Sequence, residues 1–202
     1  DFIIPERIPK REPGPVDFSV FDEDQMPVVE NLMEYAEGKI EYAMMSLEGF
    51  AGVGKTFVTS RLLEWLAFAK KMDIAFTAPT NKAVDVARTM SEIEAKNITF
   101  STLHKLLALK ESYDQWGRLQ FTPDHNETPA IANKEILIID ESSMLDHKLF
   151  EYVYEHVKNN GLKVIFVGDP LQIPPINRLE SIPYMSNMRR KYNIGVQTLT
   201  KI

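Results

Sequence analysis

Cysteine is absent from all 202 residues. This excludes disulfides, a thiol nucleophile and cysteine-ligated zinc or iron–sulfur centres. No apolar run approaches the ~20 residues that span a bilayer. The N-terminal DFIIPERIPKREPG has no basic segment leading into an apolar one, so no secretory leader is expected. A cytoplasmic protein with no membrane partner is the expectation. An excess of basic charge is also lacking: 23 Lys and Arg against 29 Asp and Glu leave a net charge of −6. Indiscriminate nucleic-acid binding goes with basic domains, so that balance argues against it. There is no internal repeat and no low-complexity tract. The apolar fraction of 44% and charged fraction of 26% are ordinary globular values. A chain of this length can bury roughly 70% of its unfolded surface, enough for one domain with a core of its own.

The charge is uneven. Residues 1–24 carry 3 basic and 7 acidic groups, and residues 178–202 carry 5 basic and 1 acidic. Arg189, Arg190 and Lys191 supply most of the C-terminal excess. They read either as a solvated face or as a phosphate-facing edge.

Proline-rich residues 1–19 read as an extended lead-in, and 20–202 as one domain. A first helix is expected over about 24–37. Asp22 and Gln25 have capping-box spacing, Pro27 suits a first turn, and Gly38 can stop the helix. The stretches 42–48, 74–78, 97–100, 135–140, 162–168 and 194–199 read as short strands. Helical spacing of apolar residues separates most of them, at 55–69, 80–92, 102–109 and 145–160. Residues 110–134 are polar, with a Trp-Gly turn signal, and read as an inserted loop or small hairpin. Residues 170–190 read as irregular. Buried strands alternating with amphipathic helices predict an α/β fold with a mostly parallel sheet and helices on both faces.

Gly49–Thr56 reads GFAGVGKT, a full match to the phosphate-loop pattern GxxxxGK[ST]. Gly49, Gly52 and Gly54 let the backbone turn tightly, and with Ala51 and Val53 they bring N–H groups onto phosphate oxygens. The helix that follows presents its positive N-terminus to the same anion. Lys55 neutralises the β and γ phosphates, and Thr56 offers a hydroxyl to Mg²⁺. The expected cofactors are therefore ATP and Mg²⁺. In ILIIDE (136–141), four apolar residues bury a strand whose end delivers Asp140 and Glu141 to the crest of the sheet, where ligands of open α/β sheets bind. Asp140 would hold Mg²⁺ and Glu141 would take a proton from the attacking water. The alternative is that the pair caps the next helix. In VGDPLQ (167–172), Gln172 could report on the γ-phosphate and Asp169 could support the metal; a plain strand-to-loop turn is the alternative. Gln25 could read an adenine edge through its amide or serve only in the helix cap.

The ordered set FDxxQ (21–25), GFAGVGKT, APTNKAV (78–84), STLHKLL (101–107), LIIDESSML (137–145) and VGDPLQIPP (167–175) resembles superfamily 1 DNA helicases. Within them it is similar to the 5′→3′ branch that holds the phage Dda and the RecD helicases. The likeness covers about residues 18–202. It implies a RecA-like motor domain, ATP-driven 5′→3′ movement on single-stranded DNA and duplex unwinding, in replication or repair. Carried over by position, it makes Gln25 the adenine reader, Lys55 and Thr56 the phosphate and metal contacts, Asp140 and Glu141 the metal and base pair, and Gln172 the γ-phosphate sensor. It puts Pro79, Thr80 and Asn81 in a first DNA-contacting motif, and Thr102 and His104 in a second. The alternative for His104 is a packed histidine on the helix of Leu103–Leu107.

The insert 110–134 stands where this family carries a pin-like hairpin. Trp116 and Phe121 would then stack on the first base pair of a duplex junction. Aromatics usually find somewhere to pack, which favours their pinning the insert to the core instead. The chain ends at LTKI without motifs of a second motor domain, so the resemblance implies that this partner domain, with its arginines, is missing and that hydrolysis by the chain alone is poor. Replication proteins are a further partner class the resemblance suggests. Two other readings stay open: a phosphate-loop NTPase acting on RNA or protein, and a non-catalytic nucleotide-sensing module that binds DNA or a partner.

Overall fold

The structure, a computed structural model, describes residues 16–90, 95–172 and 181–201. Six parallel strands form one sheet in the order β3-β2-β6-β7-β1-β8. They are β1 (Met44–Glu48), β2 (Ile74–Ala78), β3 (Ile98–Thr102), β6 (Ile136–Ile139), β7 (Lys163–Gly168) and β8 (Ile194–Thr198). Every pairing among them is parallel. The remaining strands, β4 (Leu109–Tyr113) and β5 (Leu119–Pro123), form an antiparallel hairpin.

The alternation of side chains along a strand explains the layering. Met45, Leu47, Ile74, Phe76, Ile136, Ile138, Ile165 and Val167 pack on one face, against α1 (Gln25–Ala36) and α2 (Lys55–Phe68). Met44, Ala75, Leu137, Ile139, Val164 and Phe166 pack on the other, against α4 (Leu103–Leu106) and α5 (His147–Asn160). The strands are apolar on both sides because both faces are covered. The helix α3 (Asn81–Met90) follows β2, and α6 (Ser186–Tyr192) precedes β8.

Three departures from the sequence reading have local causes. Phe18–Val20 is a turn of 3-10 helix rather than extended chain, because the Asp17 side chain accepts from Ser19 N at 2.9 Å; the lead-in's residues 1–15 lie outside the described residues, as do 91–92 of the helix read over 80–92 and 173–175 of the VGDPLQIPP motif. The helix read over 102–109 shrinks to α4, because Ala108 turns left-handed at φ 50 and sends the chain into β4. The segment 170–190 is not wholly irregular: Ile182–Tyr184 is a 3-10 turn and α6 follows, too short to display a helical period. The insert 110–134 is the small hairpin expected there, β4–β5, followed by a 3-10 turn at Ala130–Asn133.

Candidate functional site

The crest of the sheet is built from the C-terminal ends of β1, β2, β6 and β7. After β1, Gly52 and Gly54 take φ of 88° and 90°, a region costly for any residue with a Cβ. Val53 between them is buried and anchors the loop. Lys55 opens α2 and folds back, its ammonium donating to Gly49 O at 2.6 Å and Phe50 O at 2.8 Å. Burial lowers the Lys55 pKa, and the charges of Asp169 and Asp140 oppose that shift. Thr56, the next residue, is exposed.

Asp140 is held at the end of β6 by a backbone bond from its own N–H to Thr77 O at 2.9 Å. Glu141 then turns left-handed at φ 49, and its N–H donates to Asp140 Oδ1 at 2.9 Å. Burial pushes the Asp140 carboxyl above its ordinary value. The Glu141 N–H and Lys55 pull it down, and the like charge of Glu141 adds to the rise. The Glu141 side chain stays exposed. After β7, buried Asp169 accepts from Leu171 N at 2.9 Å. Gln172 is drawn toward the acid corner by Ser143, whose hydroxyl donates to its Oε1 at 3.2 Å.

Gln25 serves in the helix cap. Its N–H donates to Asp22 Oδ1 at 2.8 Å and its Oε1 accepts from Asp22 N at 3.4 Å, a reciprocal cap. Its amide nitrogen also stands against the loop, 2.8 Å from where a Cβ on Gly54 would be.

The second group of predicted residues lines the same crest. Thr80 Oγ1 accepts from Ala83 N at 3.1 Å and Thr102 Oγ1 from Lys105 N at 3.4 Å, so each starts a helix. Pro79 lies between β2 and Thr80, and Asn81 begins α3, exposed. Thr80 shares a cleft of about 470 Å³ with Thr56, Asp140 and Glu141. Pro79 and His104 share another, of about 210 Å³, with the same acid pair. His104 is half-buried and meets Phe121 of the hairpin edge-on at 4.5 Å between ring centroids. Burial lowers the His104 pKa, against the pull of Asp146.

The two hairpin aromatics part company. Phe121 packs on His104, as the packing alternative expects. Trp116 does not: it is 70% exposed at the hairpin turn. Asp114 shapes that turn by accepting from Trp116 N at 2.9 Å and Arg118 N at 2.8 Å. The basic cluster also divides. Arg189 is neither solvated nor phosphate-facing, because it pairs with Glu48 of β1 and donates from Nε to Pro183 O at 2.8 Å. Sequence reasoning missed this pair, although a glutamate ending the otherwise apolar run MMSLE was a signal that something must neutralise it.

Among the described residues no cluster of three or more His, Cys, Asp or Glu could hold a metal ion. The donors that do fit one are hard oxygens: the exposed Thr56 hydroxyl and Asp140, one oxygen of which is taken by Glu141 N–H. Mg²⁺ is commonly held in this way, by one or two protein oxygens with substrate phosphates and water completing the shell. Among the described residues no helix is long and apolar enough to cross a membrane.

Comparison with known proteins agrees with this geometry. The family model described as "AAA domain" matches residues 21–202. The ATP-dependent DNA helicase Dda of enterobacteria phage T4 is 32% identical over 143 residues, covering 70% of this chain and 30% of that protein. The ATP-dependent DNA helicase Pif1 of Campylobacter jejuni is 29% identical over 155 residues, covering 72% of this chain and 32% of that protein. The chain thus spans about a third of the length of these relatives. In structure, Bacteroides Pif1 bound to single-stranded DNA matches with a TM-score of 0.58 and 22% identity, covering 91% of this chain and 42% of that one. The shared fold is the RecA-like phosphate-loop fold, as the sequence resemblance implied.

Proposed function

The chain belongs to the AAA domain family, and from that premise we propose that it is the ATP-binding first motor domain of an ATP-dependent DNA helicase. The observation that carries this reading is the cleft at the crest that brings Thr56, next to Lys55 at the start of α2, together with Asp140 and Glu141 at the end of β6. A cation at a helix N-terminus and two strand-end carboxylates form the two halves of a site for a nucleotide with its metal. The names of the relatives Dda and Pif1 support the same reading.

In the proposed chemistry, the loop amides and Lys55 bind the β and γ phosphates, and Gln25 reads the adenine edge. Thr56 and Asp140 would hold Mg²⁺, which would supply positive charge to the phosphate oxygens. Glu141 accepts a proton from the attacking water as the bond to the terminal phosphoryl group breaks and ADP leaves. Gln172, linked through Ser143 to the acid corner, senses the γ-phosphate. Single-stranded DNA runs over Pro79, Thr80, Asn81, Thr102 and His104. Polar groups at helix starts can grip a phosphate backbone without a basic surface, which reconciles this path with the net charge of −6. Trp116, exposed at the hairpin turn, meets the duplex junction. A second motor domain supplies the arginines that complete hydrolysis, worth about 10³–10⁵ in rate for an arginine finger. Movement is 5′→3′, as the family resemblance implies.

The test is fluorescence anisotropy of a labelled single-stranded oligonucleotide titrated with the chain. It is run with and without Mg²⁺ and a non-hydrolysable ATP analogue, at two salt concentrations. Affinity that responds to nucleotide, falls with salt and drops in Thr80→Ala supports the reading. Nucleotide binding with no DNA response in a longer parent protein would refute the helicase assignment in favour of an NTPase that acts elsewhere.

A further inference from the structure

A buried polar network runs beneath the crest, through residues to which the proposed chemistry gives no role. Ser142 follows Glu141 directly. Its hydroxyl donates to Val167 O at 3.0 Å and lies 2.7 Å from the Tyr184 hydroxyl. A serine has one hydroxyl hydrogen, and the carbonyl can only accept it, so Tyr184 is the donor in the second bond. Ser181 Oγ donates to Ser142 O at 2.9 Å, which fixes the same residue from its backbone. Gly168, the last residue of β7, makes room for this arrangement. A Cβ there would lie 2.2 Å from the Tyr184 oxygen and 3.2 Å from Ser142 Oγ. Tyr184 is buried. Its ring stands 5.9 Å from the guanidinium of Arg189, which pairs with Glu48, the residue before the phosphate loop.

The network therefore joins the ends of β1, β6 and β7, the strands that deliver Gly49, the acid pair and Asp169. The acid corner needs such support. Glu141 is a non-glycine residue in a left-handed conformation, and such residues keep it only where their surroundings over-determine it. The corner's own bonds are Asp140 N–H to Thr77 O at 2.9 Å, Glu141 N–H to Asp140 Oδ1 and Met144 N–H to Glu141 O at 3.1 Å. The next residue is Ser142, and it is held by Tyr184, Val167 and Ser181. We propose that Tyr184 is a positioning residue of the nucleotide site: through Ser142, its hydroxyl sets where the Asp140–Glu141 corner stands relative to the Gly168–Asp169 end of β7. This rests on the reading of that corner as the metal side of an ATP site.

A structural role alone would lower the melting temperature. A positioning role changes how strongly Mg²⁺ and nucleotide bind together. The experiment titrates the 202-residue chain into a fluorescent ATP analogue with Mg²⁺ and again with EDTA, and takes the ratio of the two affinities. Tyr184→Phe removes one oxygen. It is expected to cut that ratio about tenfold, the low end for groups that orient a metal ligand, while leaving the EDTA affinity within about twofold of wild type. Ser142→Ala removes this bond and the one to Val167 O, so it should lose at least as much, and the double variant should be no worse than Ser142→Ala alone, because the Tyr184 bond is already gone there. An unchanged ratio in Tyr184→Phe, beside a ratio abolished in Asp140→Asn, overturns the proposal. So does an EDTA affinity that falls in step with the melting temperature, since the residue would then act only on the fold. Wild-type chain whose nucleotide binding does not respond to Mg²⁺ refutes the site reading itself and takes the proposal with it, a failure recognised before any variant is compared.

Discussion

Replacing Arg189 by methionine keeps an unbranched apolar stem and removes the guanidinium that pairs with Glu48. The Glu48 side chain is 8% exposed and that of Arg189 is 24% exposed. What remains for the carboxylate is one hydrogen bond, from Ser46 Oγ at 2.8 Å. Breaking a buried ion pair from one side typically costs about 3–5 kcal/mol, because the surviving charge stays buried without a partner. The partial exposure of Arg189 and the remaining Ser46 bond put this case at the low end, at about 3 kcal/mol. For a domain of this size each kcal/mol shifts the melting temperature by about 2–4 °C, so a fall of about 6–12 °C is expected. The converse change, Glu48→Gln, leaves a cation that reaches water and should cost less. Combining the two removes both charges and should recover most of the loss, since a buried pair replaced as a whole is often close to neutral. Thermal melts of the four proteins at pH 7, followed by circular dichroism, decide the matter. If Arg189→Met melts with the wild type but binds single-stranded DNA less tightly, Arg189 is a phosphate contact and the buried-pair argument fails. It fails equally if the double variant loses the sum of the two single losses.

Gly54→Ala forces a Cβ into a left-handed position at φ 90, 2.8 Å from Gln25 Nε2. It should cost about 1–2 kcal/mol in a urea melt and weaken nucleotide binding; unaltered nucleotide affinity would show that the loop tolerates the rearrangement. Asp140→Asn should raise the melting temperature of the chain at pH 7–8 while abolishing the Mg²⁺ effect. Burial holds this carboxyl above its ordinary value, so its ionisation works against the native state. Stability is therefore lost as pH rises from the ordinary aspartate value through the raised one, and a neutral amide escapes that loss. A lower melting temperature for Asp140→Asn than for wild type across that window would reverse the sign and refute the argument. Trp116→Ala should melt within about 0.5 kcal/mol of wild type, since the side chain is 70% exposed. In a longer parent protein it should reduce unwinding of a forked duplex with ATPase intact, and unimpaired unwinding would remove Trp116 from the junction.

The legible part of the fold was the part with a period or a spacing. β2 falls on its expected residues because IAFTA is a mostly apolar run, buried throughout. β6 and β7 were visible for the same reason, and α5 was visible because Leu149, Val153 and Val157 mark one face and Gly161 ends the helix with φ 67. The phosphate loop was legible because its spacing states a backbone requirement that only glycine meets cheaply. What stayed hidden was long-range pairing without a local pattern. Arg189 and Glu48 are 141 residues apart, and Arg189 sits in a run of three cations that looks like a solvent face. Tyr184 is one tyrosine in a proline-rich stretch, and the glycine that admits its hydroxyl reads as a plain strand end. Trp116 and Phe121 share a hairpin and a chemical type, so the sequence treated them alike. The turn set by Asp114 separates them, leaving one in solvent and one against His104.

The crest and the network below it hold their charges in opposite ways, and the contrast bears on ligand choice. Glu48 is matched by Arg189 and serves the fold. Among the described residues no hydrogen bond or ion pair joins Asp140 to Lys55, and burial disfavours the charge on each. The lysine spends its donors on the carbonyls of Gly49 and Phe50, and the aspartate takes a proton more readily than an ordinary carboxylate. A phosphate oxygen is a better partner for the lysine than either carbonyl, because it carries charge. A divalent cation is the corresponding partner for the aspartate, because it favours the ionised form that burial opposes. Phosphate alone would place negative charge beside Asp140 and Glu141, and the cation alone would place positive charge beside Lys55. Only the two together relieve both groups without adding repulsion, so on the proposed reading of this corner a metal–nucleotide complex is a better ligand than either component by itself.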